Sequence, residues 1–245
     1  MVVDLDGMYE GETLFLLGGS PTLKDLPLEE LRRPGIVTMA VNNVPCLFPR
    51  PNLWIGLDKP PCFSPHVYAE PATLKFTSVG RRVLPVGDTG RRVVDHPSMI
   101  FFGLDENVTV ESFLRVRRDI VWWKSVFPAA LQLAWKLGFR RVYLVGCGFH
   151  MTAERQYAWR TDLDEAERNW SQNTYNNDIN RLKALKPIFD AAGFEVISST
   201  PDSKANGILR YEPLLDAVTI AAAKVRGDTT KLAHSSSLAK QAPHV

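Results

Sequence analysis

Cysteine is scarce in this chain: Cys46, Cys62 and Cys147 are the only three among 245 residues, widely spaced and without a CxxC pair. An odd number at such spacings speaks against a disulfide framework and against a structural zinc site, and it fits a reducing compartment, so a cytoplasmic location is expected. A surplus of one charge is missing as well. Lysine plus arginine number 29 against 27 aspartate plus glutamate, a formal net of +2, so no global field draws the protein to a nucleic acid or a membrane, and any basic patch must be local. Long apolar runs are absent: Thr13 to Gly18 and Val142 to Val145 fall far short of the roughly 20 residues that cross a bilayer. The opening MVVDLDGMYEGE carries acids where a secretory signal needs a basic and then an apolar segment, so neither export by that route nor membrane spanning is expected.

What is present is an ordinary globular composition, 45% hydrophobic and 23% charged, which excludes wholesale disorder and at this length favours one core. TLFLLGGSPTLKDLPLEELRR reads as a buried strand, a glycine turn and a helical stretch with Leu23, Leu26, Leu28 and Leu31 on its apolar side. IVTMAVNN and LWIGLD around Trp54 supply two further strands. From about 60 to 107 prolines and glycines are dense, and TLKF, RRVLPV, RRVVD and MIFFG are short strand-like pieces, read here as an irregular β insertion facing the substrate. The cleanest pattern is SVFPAALQLAWKLGFRRVYLVGCGFHM, a helix closed by Gly138 and a strand ending in CGFH. A polar segment at about 152–177, read as mobile, precedes a second helix-glycine-strand unit, INRLKALKPIFDAAGFEVISST. The expected fold is α/β, a Rossmann-like, mostly parallel sheet flanked by helices, in one domain over 1–225 with a flexible tail over 226–245.

In open α/β sheets ligands sit beyond the carboxyl ends of the strands, which selects Gly18, Gly19, Ser20, Asn42, Asn43, Asp58, Cys147 to His150 and Ser198 to Ser203. LGGSPTL lacks both the Walker lysine and the GxGxxG spacing, yet such a turn still brings backbone amides to a phosphate. No carboxylate pair with DxD spacing ends a strand; Asp162 and Asp164 have that spacing in the polar segment, so no metal site is expected. His150 is the first choice for a general base, with Asp162, Asp164, Glu165 and Glu167 behind it. Cys147 reads as a small packing residue. Trp122, Trp123, Trp159 and Trp170 are candidates for stacking a sugar or a base, Trp159 foremost.

The order of GGSPTL, VNN, SVFPAALQLAWKLGFRRVYLVGCGF, YAW and TPDSKAN from Leu14 to Pro213 resembles the bacterial sialyltransferase-like glycosyltransferases of family 42. More distant likenesses are to motility-accessory and archaeal pterin pyrophosphokinase-like proteins. The resemblance implies a GT-A-like variant fold and a nucleotide-sugar donor, a uridine or cytidine nucleotide, with no obligatory metal. It places Gly18, Gly19, Ser20, Thr22, Asn42 and Asn43 at the nucleotide, with Ser125, Gly146, Cys147 and Gly148 beside the donor, and gives Tyr157 of YAW to the leaving phosphate. Departures are specific: this chain has Gly19 where the family has Asn, Gly148 where it has Asp, and His150 where it has an aromatic hydroxyl. The family's catalytic histidine falls near Asn173, and no histidine stands between His150 and His234.

Arg81, Arg82, Arg91 and Arg92 flank the GDTG turn, and a hairpin there would offer four guanidinium groups to a DNA backbone. With the phage-type members of this enzyme class in view, the acceptor is taken to be a hydroxymethylated pyrimidine in DNA, flipped out to reach the donor. A cell-surface glycan acceptor, a nucleotide-dependent pyrophosphokinase and a non-catalytic nucleotide-binding module remain open.

Overall fold

The fold was obtained as a computed structural model, which describes residues 5–115 and 118–223; the tail expected over 226–245 lies outside the described residues. Seven strands form one sheet: β1 (Thr13–Leu17), β2 (Val37–Val41), β3 (Leu53–Ile55), β4 (Leu74–Ser78), β5 (Met99–Phe102), β8 (Arg141–Val145) and β9 (Glu195–Ser198). Two short strands, β6 (Leu104–Asp105) and β7 (Ile120–Val121), pair separately. The order in the large sheet is β5-β4-β3-β2-β1-β8-β9, and every pairing in it is parallel.

Strand β1 is buried along its whole length because both sheet faces are covered. Leu14 and Leu16 join the core under helices α2 (Val126–Lys136) and α3 (Glu165–Ala192), while Phe15 and Leu17 face the opposite cluster with Trp54, Tyr143 and a helix at 214–223. Three elements differ from what the pattern predicts. The stretch after the first turn is two 3-10 turns, Pro21–Asp25 and Leu28–Arg32, and not one helix, because Pro27 lacks the amide that a continuing helix needs. TLKF and MIFFG are β4 and β5 of the main sheet, which narrows the irregular part of 60–107; RRVLPV and RRVVD make only a single bridge, Pro85 to Arg92. The polar segment is helical from Glu165 onward, nucleated by a capping box in which Asp164 accepts from the Glu167 amide and the Glu167 carboxylate accepts from the Asp164 amide. A short helix α1 (Pro65–Ala69) lies between β3 and β4.

The chain's N-terminal turns close the far end of α2. The amides of Gly7, Tyr9 and Gly11 donate to the carbonyls of Lys136, Leu137 and Gly138, and Tyr9 stacks on Phe139 with centroids 4.7 Å apart. Gly138 turns the chain with φ 99°, and a Cβ there would stand 2.8 Å from the Glu10 backbone nitrogen. Gly138→Ala should therefore cost about 1–3 kcal/mol of stability, read as a lower urea midpoint at unchanged slope.

Candidate functional site

From β1 the chain moves outward strand by strand to β5, then returns to lay β8 on the other side of β1. The connections on the two sides of β1 diverge at this reversal and leave a crevice beyond the strand ends. The turn after β1 is bound to the turn after β8: the Gly18 amide donates to the Val145 carbonyl at 2.7 Å and the Ser20 amide to the Gly146 carbonyl at 2.8 Å. Above this seam lies a cleft with an empty volume of about 960 Å³, part of it continuous with solvent.

The cleft gathers most of the residues singled out above. Gly18, Gly19, Ser20, Asn42, Ser125, Gly146, Cys147, Gly148, His150 and Tyr157 line it, as do Trp122, Trp159 and Trp170. Five non-glycine residues have positive φ among the described residues, and Asn42, Lys124 and Phe149 of these border the cleft, so backbone strain is concentrated here. Asn42 donates its backbone amide to Ile55, accepts from the Trp54 indole at 2.7 Å, and keeps a buried side-chain oxygen that no protein group satisfies. Asn43 does not line the cleft: its side chain donates to the Cys62 carbonyl at 2.8 Å and accepts from the Ser64 amide at 2.9 Å. Thr22 stands one layer back, donating to Asp202 at 2.9 Å.

His150 lines the cleft with both ring nitrogens directed at protein. Nδ1 is 3.0 Å from the Gly148 carbonyl, which can only accept, so Nδ1 carries the proton. Nε2 lies 3.6 Å from Asp202, which also pairs with Arg155. Asp162 and Asp164 stay outside: the first is paired with Arg160 at 2.9 Å and the second caps α3. Cys147 is buried, and desolvation pushes its thiol up to about 12, which makes it inert as a thiolate.

The segment after His150 folds over the glycine turn. The Ala158 amide donates to the Gly19 carbonyl at 2.9 Å, and the Trp159 ring occupies the space that a Cβ on Gly19 would need, 2.3 Å from its nearest atom. Tyr157 stacks on Trp159 at 5.2 Å, with its hydroxyl 3.2 Å from that of Ser171.

Besides Trp170, already a candidate for stacking, helix α3 contributes residues that the sequence pattern did not disclose. Trp170, 63% exposed, stands at the mouth; Thr174 and Tyr175 form a wall; Asp178, 1% exposed, lies at the inner end. Burial raises the Tyr175 phenol well above its ordinary range. Asp178 accepts from the Ser125 hydroxyl at 2.6 Å and pairs with Arg181 at 3.1 Å, yet desolvation outweighs both partners and lifts its carboxyl to about 6. Ser125 is also the N-cap of α2, accepting from the Phe127 amide at 3.3 Å. No group of three or more His, Cys, Asp or Glu side chains able to hold a metal ion occurs among the described residues, and no helix among them is long and apolar enough to cross a membrane.

The arginines around the GDTG turn are largely engaged within their own loop. Arg92 makes a two-nitrogen contact with the Asp95 carboxylate, Arg91 donates to the Asp95 carbonyl, and Arg81 donates to the Leu57 carbonyl at 3.2 Å. Arg82 is exposed.

No protein-family model matches this sequence, and no curated protein matches it. Solved structures similar to it include the MAf glycosyltransferase from Magnetospirillum magneticum AMB-1, at 13% identity and a TM-score of 0.48, covering 91% of this chain and 38% of that one. Two sialyltransferase structures are similar over 84% of this chain and 88% of theirs. They are CstII from Campylobacter jejuni with the substrate analogue CMP-3FNeuAc, at 14% identity and a TM-score of 0.46, and CST-II with a trisaccharide acceptor and CMP, at 17% and 0.49. This chain thus spans well under half the length of the MAf protein. The seven-stranded α/β architecture matches the Rossmann-like expectation.

Gly19→Ala should drive the Trp159 ring from its seat. Hydrogen exchange at the Ala158 amide, followed by mass spectrometry, should then quicken about tenfold, and an unchanged rate would show that the segment is held by something other than this packing.

Proposed function

We propose that the cleft binds a nucleotide-activated sugar and transfers the sugar to an acceptor hydroxyl. One observation carries this reading: a close-approach glycine turn, an unsatisfied Asn42 oxygen, aromatic walls and a buried carboxylate of raised proton affinity converge at a single reversal of strand order. In the glycine turn the Gly18 and Ser20 amides are spent on the turn after β8, which leaves the Gly19 amide to meet a diphosphate or monophosphate. Asn42 accepts from a ribose hydroxyl or a base amine, with a uridine or cytidine nucleotide as the donor class. Aromatic faces take the apolar sides of a sugar ring. Tyr157 and Lys124, both lining the cleft, supply a hydroxyl and a cation to the phosphate as charge develops on departure.

A pyrophosphokinase-like reaction fits less well. It asks for several carboxylates around magnesium, and the carboxylates lining the cleft are Asp58 and Asp178, the latter committed to Ser125 and Arg181. For the acceptor, a saccharide hydroxyl is favoured over a DNA pyrimidine. Trp170 offers an exposed ring at the mouth, whereas Arg81, Arg91 and Arg92 are engaged locally.

Calorimetry with uridine and cytidine nucleotides tests the donor. Asn42→Gly removes the side-chain oxygen while permitting the φ of 50°, and should weaken binding about three- to tenfold. Equal affinity, or no binding by the wild type, would overturn the reading. Binding to hydroxymethylated-pyrimidine DNA that falls with salt at a log-log slope of about −0.9 per phosphate contacted would restore the nucleic-acid acceptor.

A further inference from the structure

The geometry points to Asp178 as the proton acceptor of the transfer, reached through the Ser125 hydroxyl. This inference rests on the sugar-transfer reading and names a base for it. Ser125 Oγ donates to Asp178 Oδ2 at 2.6 Å, within the range of a hydroxyl bonded to a carboxylate. The other carboxylate oxygen, Oδ1, is held by Arg181 at 3.1 Å, and the Arg181 guanidinium lies over Trp123 with its carbon 5.4 Å from the ring centroid. One oxygen is thus anchored, and the other faces the hydroxyl that borders the cleft. Because the Ser125 proton is directed at Asp178, a lone pair on Oγ is left for an acceptor hydroxyl in the cleft.

The step balances. The acceptor oxygen forms its bond to the anomeric carbon as the bond from that carbon to the phosphate oxygen breaks, and the bonding pair leaves with the nucleotide. The acceptor's proton passes to Ser125 Oγ while the Ser125 proton passes to Asp178 Oδ2. Serine ends neutral and Asp178 ends as a carboxylic acid. His150 is less suited: with Nδ1 donating to Gly148, the nitrogen left to take a proton is Nε2, which makes no hydrogen bond but is buried 3.6 Å from Asp202.

The charged and titratable groups around this pair are few. Arg181 and Tyr175 share α3 with Asp178; Lys124 precedes Ser125; Tyr157, Cys147, His150 and Asp58 approach from the loops after the strands. Burial is the largest influence on Asp178 and favours its neutral form, so the carboxylate needed as a base appears as pH rises through about 6. The same shift has a consequence for stability. The folded state holds the proton more tightly than the unfolded chain, so the stabilisation is complete below the ordinary value of 3.8 and is lost as pH rises through about 6. The fold is therefore less stable with Asp178 ionised than with it protonated.

The experiment follows nucleotide release from UDP- and CMP-activated sugars, with saccharide acceptors, across pH 4.5–9. In the wild type kcat should rise through about pH 6. Asp178→Asn keeps an oxygen to accept from Ser125 but cannot take a proton. Its kcat should drop at least about 100-fold and lose the acid limb, with nucleotide affinity within twofold and a melting temperature at pH 8 no lower than that of the wild type. Ser125→Ala, which retains the carboxylate and removes the hydrogen bond that holds its proton affinity down, should lower kcat and move the acid limb to higher pH. A folded Asp178→Asn with kcat within threefold of wild type, or an acid limb that neither variant alters, would overturn the relay while leaving sugar transfer standing. Absence of turnover in the wild type with every donor would overturn the transfer reading and the relay with it.

Discussion

The parallel pairing of β1 with β2 on one side and β8 on the other is the constraint on which the site depends. A strand so placed is buried on both faces and both edges, which is why Thr13 to Leu17 is almost wholly apolar. Its carboxyl end must then open directly onto a crevice, because the chain leaves β1 toward β2 and later re-enters from the opposite side. The backbone bonds from Gly18 and Ser20 to the β8 strand end and turn close the floor of that crevice with no side chain in between. A Cβ at Gly18 would lie 2.6 Å from the Cys147 sulfur and 2.7 Å from the Gly146 carbonyl oxygen, so the seam depends on glycine for its tightness.

Much of this was legible in the residues. Buried strands followed by glycine or asparagine, and the helix-glycine-strand unit ending at Cys147, announce their structure through a single dominant period. The failures have distinct physical causes. Pro27 divides an apolar stretch whose leucines keep helical spacing, and spacing alone does not register the missing amide. Strand β4 carries Lys75, which reads as a surface residue; it is fully buried, its ammonium bonded to the carbonyls of Glu70 and Thr73, and desolvation brings it down to about 8. Sheet membership is a long-range property, and nothing local in TLKF assigns it to β3 as a neighbour, or in MIFFG to β4.

Helix α3 shows a subtler failure. Its buried face runs Leu182, Leu185 and Phe189 where it packs on the core, and continues as Asp178 and Ser171 where it leaves the core for the cleft. The helical period persists while the chemistry changes from apolar to polar, so the first half of the helix resembles a solvated segment. Asp178 was hidden by its neighbours, the exposed Asn173, Asn176, Asn177 and Asn180. Asn42 and Asn43 illustrate the converse: two identical side chains in sequence, one in a residue that lines the cleft and one spent between loops, separated only by the left-handed turn at Asn42.

Because Trp170 and Asp178 stand on one continuous helix, the distance from mouth to inner end is set by helical rise, about 12 Å over eight residues. The helix is in this sense a ruler laid along the cleft. Inserting or deleting one residue between them would change the depth by only about 1.5 Å but would swing the outer ring around the helix by about 100°, off the opening altogether. Ligand length and entrance are therefore coupled through backbone geometry, and the dimensions of this cleft can drift in sequence only by steps of whole helical turns or by changes in the side chains themselves.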